Sequence, residues 1–338
     1  MADSKLSALS DISVPDYADY LYTVDDTGPT SNRLPAFRAV GNWRPSMAEG
    51  RLTTESGVAV STSDQSAQGT IYYTPYNGNR ICLFDGTRWK AYVFTERSLA
   101  LTVTSGKNYD VFLYDNAGTL TLELSAAWTN DTTRADALTT QDGVPVKSGT
   151  TTRRWLGTIR ASGANVTADS GGLAGTTQVG AQRFIWNAFN QVPRPMTVID
   201  KTDSWSYATG TIRQANAAAG NKCEWVTGDA ASEVEFQIAG TVFIGNTGTG
   251  TEAALIGIGI DSTTTMAGVL AATTGSQGAG TNATDNAMNA SYRGLPGLGY
   301  HFASWNEKGA TGTGITSVFT GDNAGDGRQT GLMGGMLG

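Results

Sequence analysis

Short runs of alternating apolar and polar residues recur along most of this 338-residue chain. Leu99, Leu101 and Val103 alternate with small or polar residues, and residues 120–124 repeat the pattern after a turn. A period of two residues places every second side chain on the same face of a strand. The pattern therefore predicts many strands that are buried on one face.

Turn-forming dipeptides separate these apolar runs. Asn77-Gly78 and Asp85-Gly86 lie between apolar segments. Such pairs are strong signals for two-residue hairpin turns, because both turn residues need positive φ. Short strands at regular spacing are typical of a sandwich or barrel. We therefore predict an all-β protein with a β-sandwich or barrel domain over residues 46–178.

One segment departs from the strand pattern. Phe184, Ile185, Ala188 and Phe189 recur at helical spacing, which predicts a short amphipathic helix. We assign residues 179–200 to this helical connector. Two interpretations stay open. The helix packs on a sheet of its own chain, or Phe184, Ile185 and Phe189 form an oligomer interface around a symmetry axis.

Strands return after the connector, and charged residues become rare. Between residues 240 and 290 the charged side chains are Glu252, Asp261 and Asp285. Such a stretch favours burial in a subunit interface, since the cores of interfaces are depleted of charged residues. The strand pattern beyond the connector predicts a C-terminal, jelly-roll-like β-sandwich domain over residues 201–338.

Composition supports strands and limits the choice of partners. Charged residues make up 16% of the chain and glycine is frequent at 43 residues, as suits strands joined by many turns. The net charge of −7, without a Lys/Arg-rich run, argues against nucleic acid and anionic membranes as partners. No membrane-spanning run and no leader peptide are visible. Cys82 and Cys223 are expected to be buried thiols, and a disulfide between them stays open.

The sequence offers little support for catalysis. His301 is the single histidine, so neither a histidine-based metal site nor a Ser-His-Asp triad is favoured. We therefore predict no enzyme activity, no metal and no cofactor. The alternative is a sugar-cleaving carboxylate pair, Glu233 and Glu235, about 7 Å apart on one face of a predicted strand. The competing interpretation is a solvated outer face, with Val234 and Ile238 turned inward.

The first 45 residues are too short and too polar to bury a core of their own. KLSALSDISVPDYADYLYTVDD is rich in tyrosine and then becomes acidic. Pro15 suits the first position of a helical turn, and LYTV is expected to follow as a short strand. Such a segment either lies on another surface or is disordered. We predict that residues 1–45 form an anchoring arm. Its expected contact residues are Leu9, Ile12, Val14, Pro15, Tyr17, Tyr20, Leu21 and Tyr22.

Two parts of the chain resemble known proteins. The tyrosine-rich stretch is similar to the short segments that begin many bacteriophage virion proteins, with K-L-S-x-L at one end and V-D-D at the other. Residues 108–221 resemble a module of phage tail-fibre and other virion structural proteins. The motifs that carry this second resemblance are Trp128-Thr129-Asn130-Asp131, Gln141-Asp142-Gly143, Arg154-Trp155-Leu156-Gly157-Thr158, Arg183-Phe184-Ile185-Trp186-Asn187 and Arg194-Pro195-Met196.

The resemblance implies a structural protein of the phage virion, of the tail-fibre or head-fibre kind. It also implies a homotrimer that assembles in the bacterial host cytoplasm and binds other virion proteins of the capsid, portal or tail. The C-terminal domain would then project outward and contact a host-surface glycan or protein. Aromatic residues suited to stack on sugar rings there are Tyr292, Tyr300 and Trp305, and the competing interpretation is that they pack in the core. The alternatives are a capsid decoration or tail adaptor protein without host contact, and a virion-associated glycan depolymerase.

Overall fold

The chain folds almost entirely into strands. The computed structural model describes the backbone of residues 20–24, 31–35, 44–172, 180–246, 253–274, 282–323, 325 and 327–338. Within these residues there is a 3-10 turn, η1 (Ala215–Ala217), and no α-helix. The prediction of an all-β protein is therefore confirmed. In the described part of the chain, no helix has the length and apolar character needed to cross a membrane.

The strands fall on either side of η1. Those before it are β1 (Tyr20–Val24), β2 (Ser31–Pro35), β3 (Gly50–Thr53), β4 (Gln65–Gln68), β5 (Thr70–Pro75), β6 (Arg80–Phe84), β7 (Trp89–Val93), β8 (Arg97–Ala100), β9 (Asn108–Asn116), β10 (Thr119–Leu124), β11 (Leu138–Gln141), β12 (Val144–Lys147), β13 (Thr150–Gly163), β14 (Val166–Ser170), β15 (Gln182–Arg183), β16 (Ile185–Asn187), β17 (Pro193–Ile199), β18 (Ser204–Ser206) and β19 (Arg213–Gln214). Those after it are β20 (Lys222–Thr227), β21 (Val234–Asn246), β22 (Ala253–Ile260), β23 (Ala267–Thr274), β24 (Asn282–Gly294), β25 (Gly299–Lys308), β26 (Ile315–Thr320), β27 (Asp322–Asn323), β28 (Arg328–Gln329) and β29 (Gly331–Leu337).

The first half of the body packs small sheets against a larger one. β3, β5 and β8 form a three-stranded antiparallel sheet, β6 pairs with β7, and β9 pairs with β10 and β13. Leu52, Ile71, Val111, Leu113 and Ile159 come from these strands and belong to one buried apolar cluster. Burial of these alternating apolar side chains supplies the main favourable free energy of this half.

The second half is built around β21. This strand pairs with β24 along its whole length, with β29 over its first half and with β26 over its second half. β20, β25 and β22 form the facing layer. Trp225 of that layer packs on Phe236 of β21, with ring centres 5.1 Å apart. The two layers enclose a second core that also contains Ile258, Trp305 and Phe319.

Strand pairings continue from one half of the body to the other. β13 pairs with β9, β12, β14 and β16, and β15 pairs in parallel with β20. Twenty strands between β4 and β29 thereby belong to one network that closes on itself. The boundaries predicted at residues 178 and 201 lie inside this network, and they stay a prediction.

The helix predicted over residues 179–200 is wrong. The segment forms β15, β16 and β17 instead. Its apolar spacing is misleading because both faces of the segment are buried, including Arg183 and Trp186 as well as Phe184 and Ile185. Pairing with β13 and β20 satisfies the backbone groups, and tertiary contacts override the local helical pattern.

The two predicted turns have different outcomes. Asp85-Gly86 closes the β6–β7 hairpin, as expected. Asn77-Gly78 does not close a hairpin, because β5 pairs with β3 and β8 rather than with β6. In both dipeptides only the glycine has positive φ. Neither dipeptide therefore forms the two-residue hairpin turn, with positive φ at both residues, that the sequence suggests.

Two strands of the charge-poor stretch after residue 240 are buried within their own chain. In β21 and β22, Val242, Ile244, Ala254, Ile256 and Ile258 are at most 2% exposed. The facing layers of the second half provide this burial, whereas Val269 on β23 is 65% exposed. The subunit interface expected for this stretch is therefore not needed to explain β21 and β22. Cys82 and Cys223 are also buried, and both are free thiols. Burial raises the pKa of the Cys82 thiol to about 11 and that of Cys223 to about 12.

Candidate functional site

An open groove of about 770 Å³ runs along the outer face of β17, β29 and β21. At its centre, Gly335 on β29 lies between its two pairing partners, Pro195 on β17 and Glu235 on β21. Alternate strand residues share a face, so Met333 and Leu337 flank the glycine on the same side. These two side chains are 44% and 50% exposed. The absence of a side chain at Gly335 therefore leaves a notch between two exposed apolar residues.

Carboxylates follow one side of the groove. Glu233, Glu235 and Asp229 all line it. Asp229 accepts hydrogen bonds from the backbone N–H groups of Ala231 and Ser232, at 3.0 and 2.8 Å, and thereby orders the turn that leads into β21. Arg194 also lines the groove, so the groove is charged and partly apolar, with acidic and basic groups side by side.

Glu233 is engaged in an ion pair. Both of its carboxylate oxygens accept hydrogen bonds from Arg293, at 2.5 and 2.9 Å. These bonds lower the pKa of Glu233. A general acid in glycoside hydrolysis needs a raised pKa instead. Val234 and Ile238 are buried, as the solvated-face interpretation of this strand expects. Ion pairing is therefore the role that the geometry supports for Glu233.

The predicted host-contact aromatics have different environments. Tyr292 is half-buried and packs against the second core. Tyr300 is half-buried, and its hydroxyl donates a hydrogen bond to Glu224. The guanidinium carbon of Arg160 lies 3.5 Å from the centre of the Tyr300 ring, so one ring face is already covered. Burial and the Glu224 bond raise the pKa of Tyr300.

The prediction is wrong for Trp305. This side chain has no exposed surface and belongs to the second core. Its ring packs edge-on against Trp205, with centres 5.7 Å apart. The YHFASW sequence forms β25, and the inner positions of that strand face the opposing layer, so a ligand could not reach Trp305 without opening the core.

The predicted oligomer-interface residues belong to the interior of the single chain. Phe184 and Ile185 are 3% and 4% exposed. Phe189 is half-buried, and the Arg154 guanidinium lies 4.8 Å from its ring centre. The expectation of an interface is therefore wrong for Phe184 and Ile185, because strand packing within one copy already buries them, and it stays a prediction for Phe189.

The predicted anchoring residues are described only in part. Leu9, Ile12, Val14, Pro15 and Tyr17 lie outside the described residues. Tyr20, Leu21 and Tyr22 begin β1, which confirms the short strand expected at LYTV. β1 pairs antiparallel with β2, from Tyr20 opposite Pro35 to Val24 opposite Ser31. The sequence analysis did not predict this second strand.

Sequence reasoning missed a buried charged cluster whose members contact residues of the motifs quoted above. Asp110 has no exposed surface, and it accepts hydrogen bonds from the indole N–H groups of Trp128 and Trp155, both at 3.0 Å. Arg134 donates to the same carboxylate at 2.8 Å. A polar residue inside an otherwise apolar strand could have revealed this cluster in the sequence, because a buried charge requires a partner. The motif residues in this cluster therefore have a structural role.

A second buried cluster lies beneath the groove. Arg183 and Arg194 donate hydrogen bonds to Asp169 at 2.9 and 2.5 Å. Arg183 also donates to the carbonyl oxygen of Pro195 at 2.7 Å. These bonds tie β14, β15 and β17 together and hold the Pro195 side of the groove in place.

The single histidine has a local partner. His301 lies in β25, and its Nδ1 is 2.8 Å from Asp261 Oδ2. Among the residues that the structure describes, no group of three or more His, Cys, Asp or Glu side chains is arranged to hold a metal ion.

Comparisons with known proteins add little to this geometry. No protein-family model matches the chain, and no curated protein matches it. A solved structure described as "Structure of infectious bursal disease virus Gx strain" has 12% identity to it. That match covers 81% of this chain and 68% of the viral chain, with a TM-score of 0.20. Such a low TM-score carries no argument, so the fold class rests on the strands themselves.

Proposed function

We propose that this protein is a structural component of a bacteriophage virion, of the fibre or spike kind, anchored to the particle through its N-terminal arm. One observation carries the proposal. Among the described residues, β1 and β2 form a two-stranded sheet of their own, and the strands of the twenty-strand network pair with neither of them. An isolated hairpin is marginally stable in water, so this one needs a surface to lie on.

The body suits a rigid appendage. Asp110 and Asp169 are buried together with their arginine partners, and such networks favour a single ordered arrangement when every group is satisfied. The phage-like motifs contribute many of these residues. The resemblance and the self-contained all-β body thus support the same role, with the arm as the part that joins the particle.

A decoration or adaptor protein without host contact is the second candidate. Trp305 is buried and one face of Tyr300 is covered by Arg160, which weakens the case for sugar contacts through these aromatics. The anchoring arm would serve this role equally well. Electron microscopy of particles with the C-terminal half labelled separates the two roles, because only a fibre or spike presents that half at its distal tip.

Deletion of residues 2–43 tests the anchoring proposal. The body begins at Arg44, where the Met47 N–H donates a hydrogen bond to the Arg44 carbonyl oxygen at 2.9 Å. We expect the truncated chain to fold and to be missing from purified particles of the phage that encodes it, as measured by mass spectrometry. Val93→Ser, at an exposed position of the body, serves as the control and should still incorporate. Incorporation of the truncated chain at the full-length level would refute anchoring by the arm.

A further inference from the structure

The outer face of the sheet around β21 is exposed and carries few charges. One row of paired residues crosses it from β23 to β17: Val269, Ser291, Gln237, Met333 and Thr197. Paired residues of neighbouring antiparallel strands point to the same side of a sheet. Val269 and Met333 are 65% and 44% exposed, and no residue of the row is charged. The row therefore presents two large apolar side chains to solvent on an uncharged surface.

Met333 stands alone on its part of β29. The residues two positions before and after it, on the same face of the strand, are Gly331 and Gly335. No adjacent side chain of this strand therefore covers it. A methionine side chain is flexible and adapts to irregular apolar surfaces, so an exposed one between two glycines is well suited to contact another protein surface.

The charged groups of this face lie in the next row. Arg293 on β24 is the pairing partner of Glu235 on β21, and its Nε and Nη2 donate to Glu233 at 2.5 and 2.9 Å. The Arg293 side chain is 67% exposed. Among the described residues, neither Nη1 of Arg293 nor the carboxylate of Glu235 has a hydrogen-bond or salt-bridge partner. Each chain thus has an unused donor and an unused acceptor on neighbouring strands.

The other charged residues near this face have partners within the chain. Arg194 lines the groove, but it is 5% exposed and donates a hydrogen bond to Asp169 at 2.5 Å. Asp229 accepts the backbone hydrogen bonds described above. Asp285 on β24 lies 3.3 Å from the guanidinium of Arg328. The unused donor and acceptor of the preceding paragraph are therefore the charged groups that a partner can engage.

Copies of the same chain supply what this face lacks. A rotation axis that runs parallel to the strands, above the boundary between β21 and β24, relates copies without shifting them along the strands. Residues of β24 then meet residues of β21 from the next copy at the same level, and residues of β23 meet residues of β29. The same pairs meet for a two-fold or a three-fold axis, because rotation leaves the position along the axis unchanged. The pairs brought together are Arg293 with Glu235, Ser291 with Gln237, and Val269 with Met333.

We propose that the outer face of β23, β24, β21, β29 and β17 binds another copy of the same chain in this arrangement. Arg293 of one copy donates to the carboxylate of Glu235 in the next, and Met333 packs against Val269. Uncharged residues form most of the contact, as is typical of interface cores. This inference concerns the isolated chain, so it stands or falls independently of whether the protein joins a phage particle.

The size of the face sets the expected strength of the contact. Its five strands span about 19 Å, and residues 331–337 extend about 20 Å along β29. This area is small for a specific interface, so the association is expected to be reversible and to depend on protein concentration. A concentration series therefore measures it directly.

Substitution at the centre of the face tests the proposal on the full-length protein. Met333→Glu should raise the dissociation constant for self-association at least about tenfold, because it places a charge without a partner inside the contact. Val93→Glu is the matched control, since Val93 is 59% exposed on β7, and it should change that constant less than about twofold. Sedimentation velocity from micromolar to millimolar concentration measures both, and circular dichroism checks folding. A chain that stays monomeric throughout, or equal effects of the two variants, would overturn the proposal.

Charge reversal gives a second measurement that does not depend on Met333. Glu235→Arg alone and Arg293→Glu alone place like charges opposite each other in the contact, so each should weaken self-association. Mixed assemblies of the two variants restore opposite charges, and the mixture should associate at least about fivefold more tightly than either variant alone. Both positions are exposed, so the core is unchanged in each variant. A mixture that associates no better than the separate variants would overturn the proposed arrangement.

Discussion

Asp85 shows how one side chain fixes a turn. Its carboxylate accepts hydrogen bonds from the backbone N–H groups of Thr87 and Arg88, at 2.8 and 2.9 Å, and lies 3.0 Å from the Lys90 ammonium. Burial alone would raise the pKa of Asp85, but the bonds from Arg88, Thr87 and Lys90 outweigh it and lower that pKa to about 2. The carboxylate therefore stabilises the β6–β7 hairpin in its charged form.

The pH dependence of the stability that Asp85 contributes follows from the direction of its pKa shift. Since the folded pKa lies below the usual value near 4, the stabilisation is complete above about pH 4 and is lost as the pH falls toward 2. The site is partly exposed, so the contribution is at most about 1 kcal/mol. Carboxyl-carbon NMR should give a titration midpoint of about 2 for Asp85. A midpoint near 4 would contradict the hydrogen-bonded arrangement. Asp85→Asn keeps an acceptor oxygen and should flatten the stability profile between pH 4 and 2.

The partners of buried charged residues are the feature that sequence reasoning cannot predict at the scale of single residues. Arg154 is buried and donates to backbone carbonyl oxygens from two separate parts of the chain, including Cys82 at 2.6 Å. Burial lowers the pKa of its guanidinium to about 10. The motif around Arg154 is visible in the sequence, but its partners are more than seventy residues away in the chain. Local patterns therefore cannot reveal that this charge holds the beginning of the body in place.

Two neighbouring glycines on β29 have different roles. A Cβ atom added at Gly334 would lie 2.2 Å from the Glu235 carbonyl oxygen and 2.3 Å from Cδ1 of Phe236. Phe236 is held against Trp225 and has little room to move. At Gly335 the nearest atom to an added Cβ is the Arg194 carbonyl oxygen, 3.2 Å away. Close packing excludes a side chain at the first position, and the second forms the floor of the groove.

Alanine substitutions at these positions should separate the two roles. Gly334→Ala is expected to reduce the free energy of unfolding by about 2–3 kcal/mol, since it overpacks a core that has no spare volume. Gly335→Ala should cost less than about 1 kcal/mol, since a modest shift relieves its contact. Chemical denaturation monitored by tryptophan fluorescence measures both. Equal losses for the two variants would contradict the packing described here.

The elements of the fold were predictable where local and tertiary patterns agree. The alternation over Val234 to Ile238 and the turn at Asp85-Gly86 both lead to the strands expected there. Residues 179–200 were misread because their apolar spacing fits a helix, whereas burial on both faces and pairing with β13 make them strands. The groove was not predictable, because β17, β21 and β29 are brought together from distant parts of the chain.

Assembly is the prediction that belongs to the whole molecule. The phage resemblance implies a homotrimer, so native mass spectrometry at micromolar concentration should give about three times the chain mass of 35.3 kDa. The chain without residues 2–43, measured in parallel, shows whether the arm contributes to assembly. Phe184 and Ile185 are already buried, so a trimer has to use other surfaces. A full-length protein that remains monomeric would refute the trimer.

The sequence by itself determined the all-β class, the buried thiols and most single strands. These features depend on composition and on a two-residue period, which act over a few neighbouring residues. Only the tertiary structure decided that residues 179–200 form strands, that Trp305 is core, and that the charge-poor strands β21 and β22 are buried by their own chain. It also decided that Glu233 is paired with Arg293 at the rim of a groove. The physical reason is that burial and charge pairing depend on which strands become neighbours, and β21 pairs with β24 and β29, which lie far from it in the sequence.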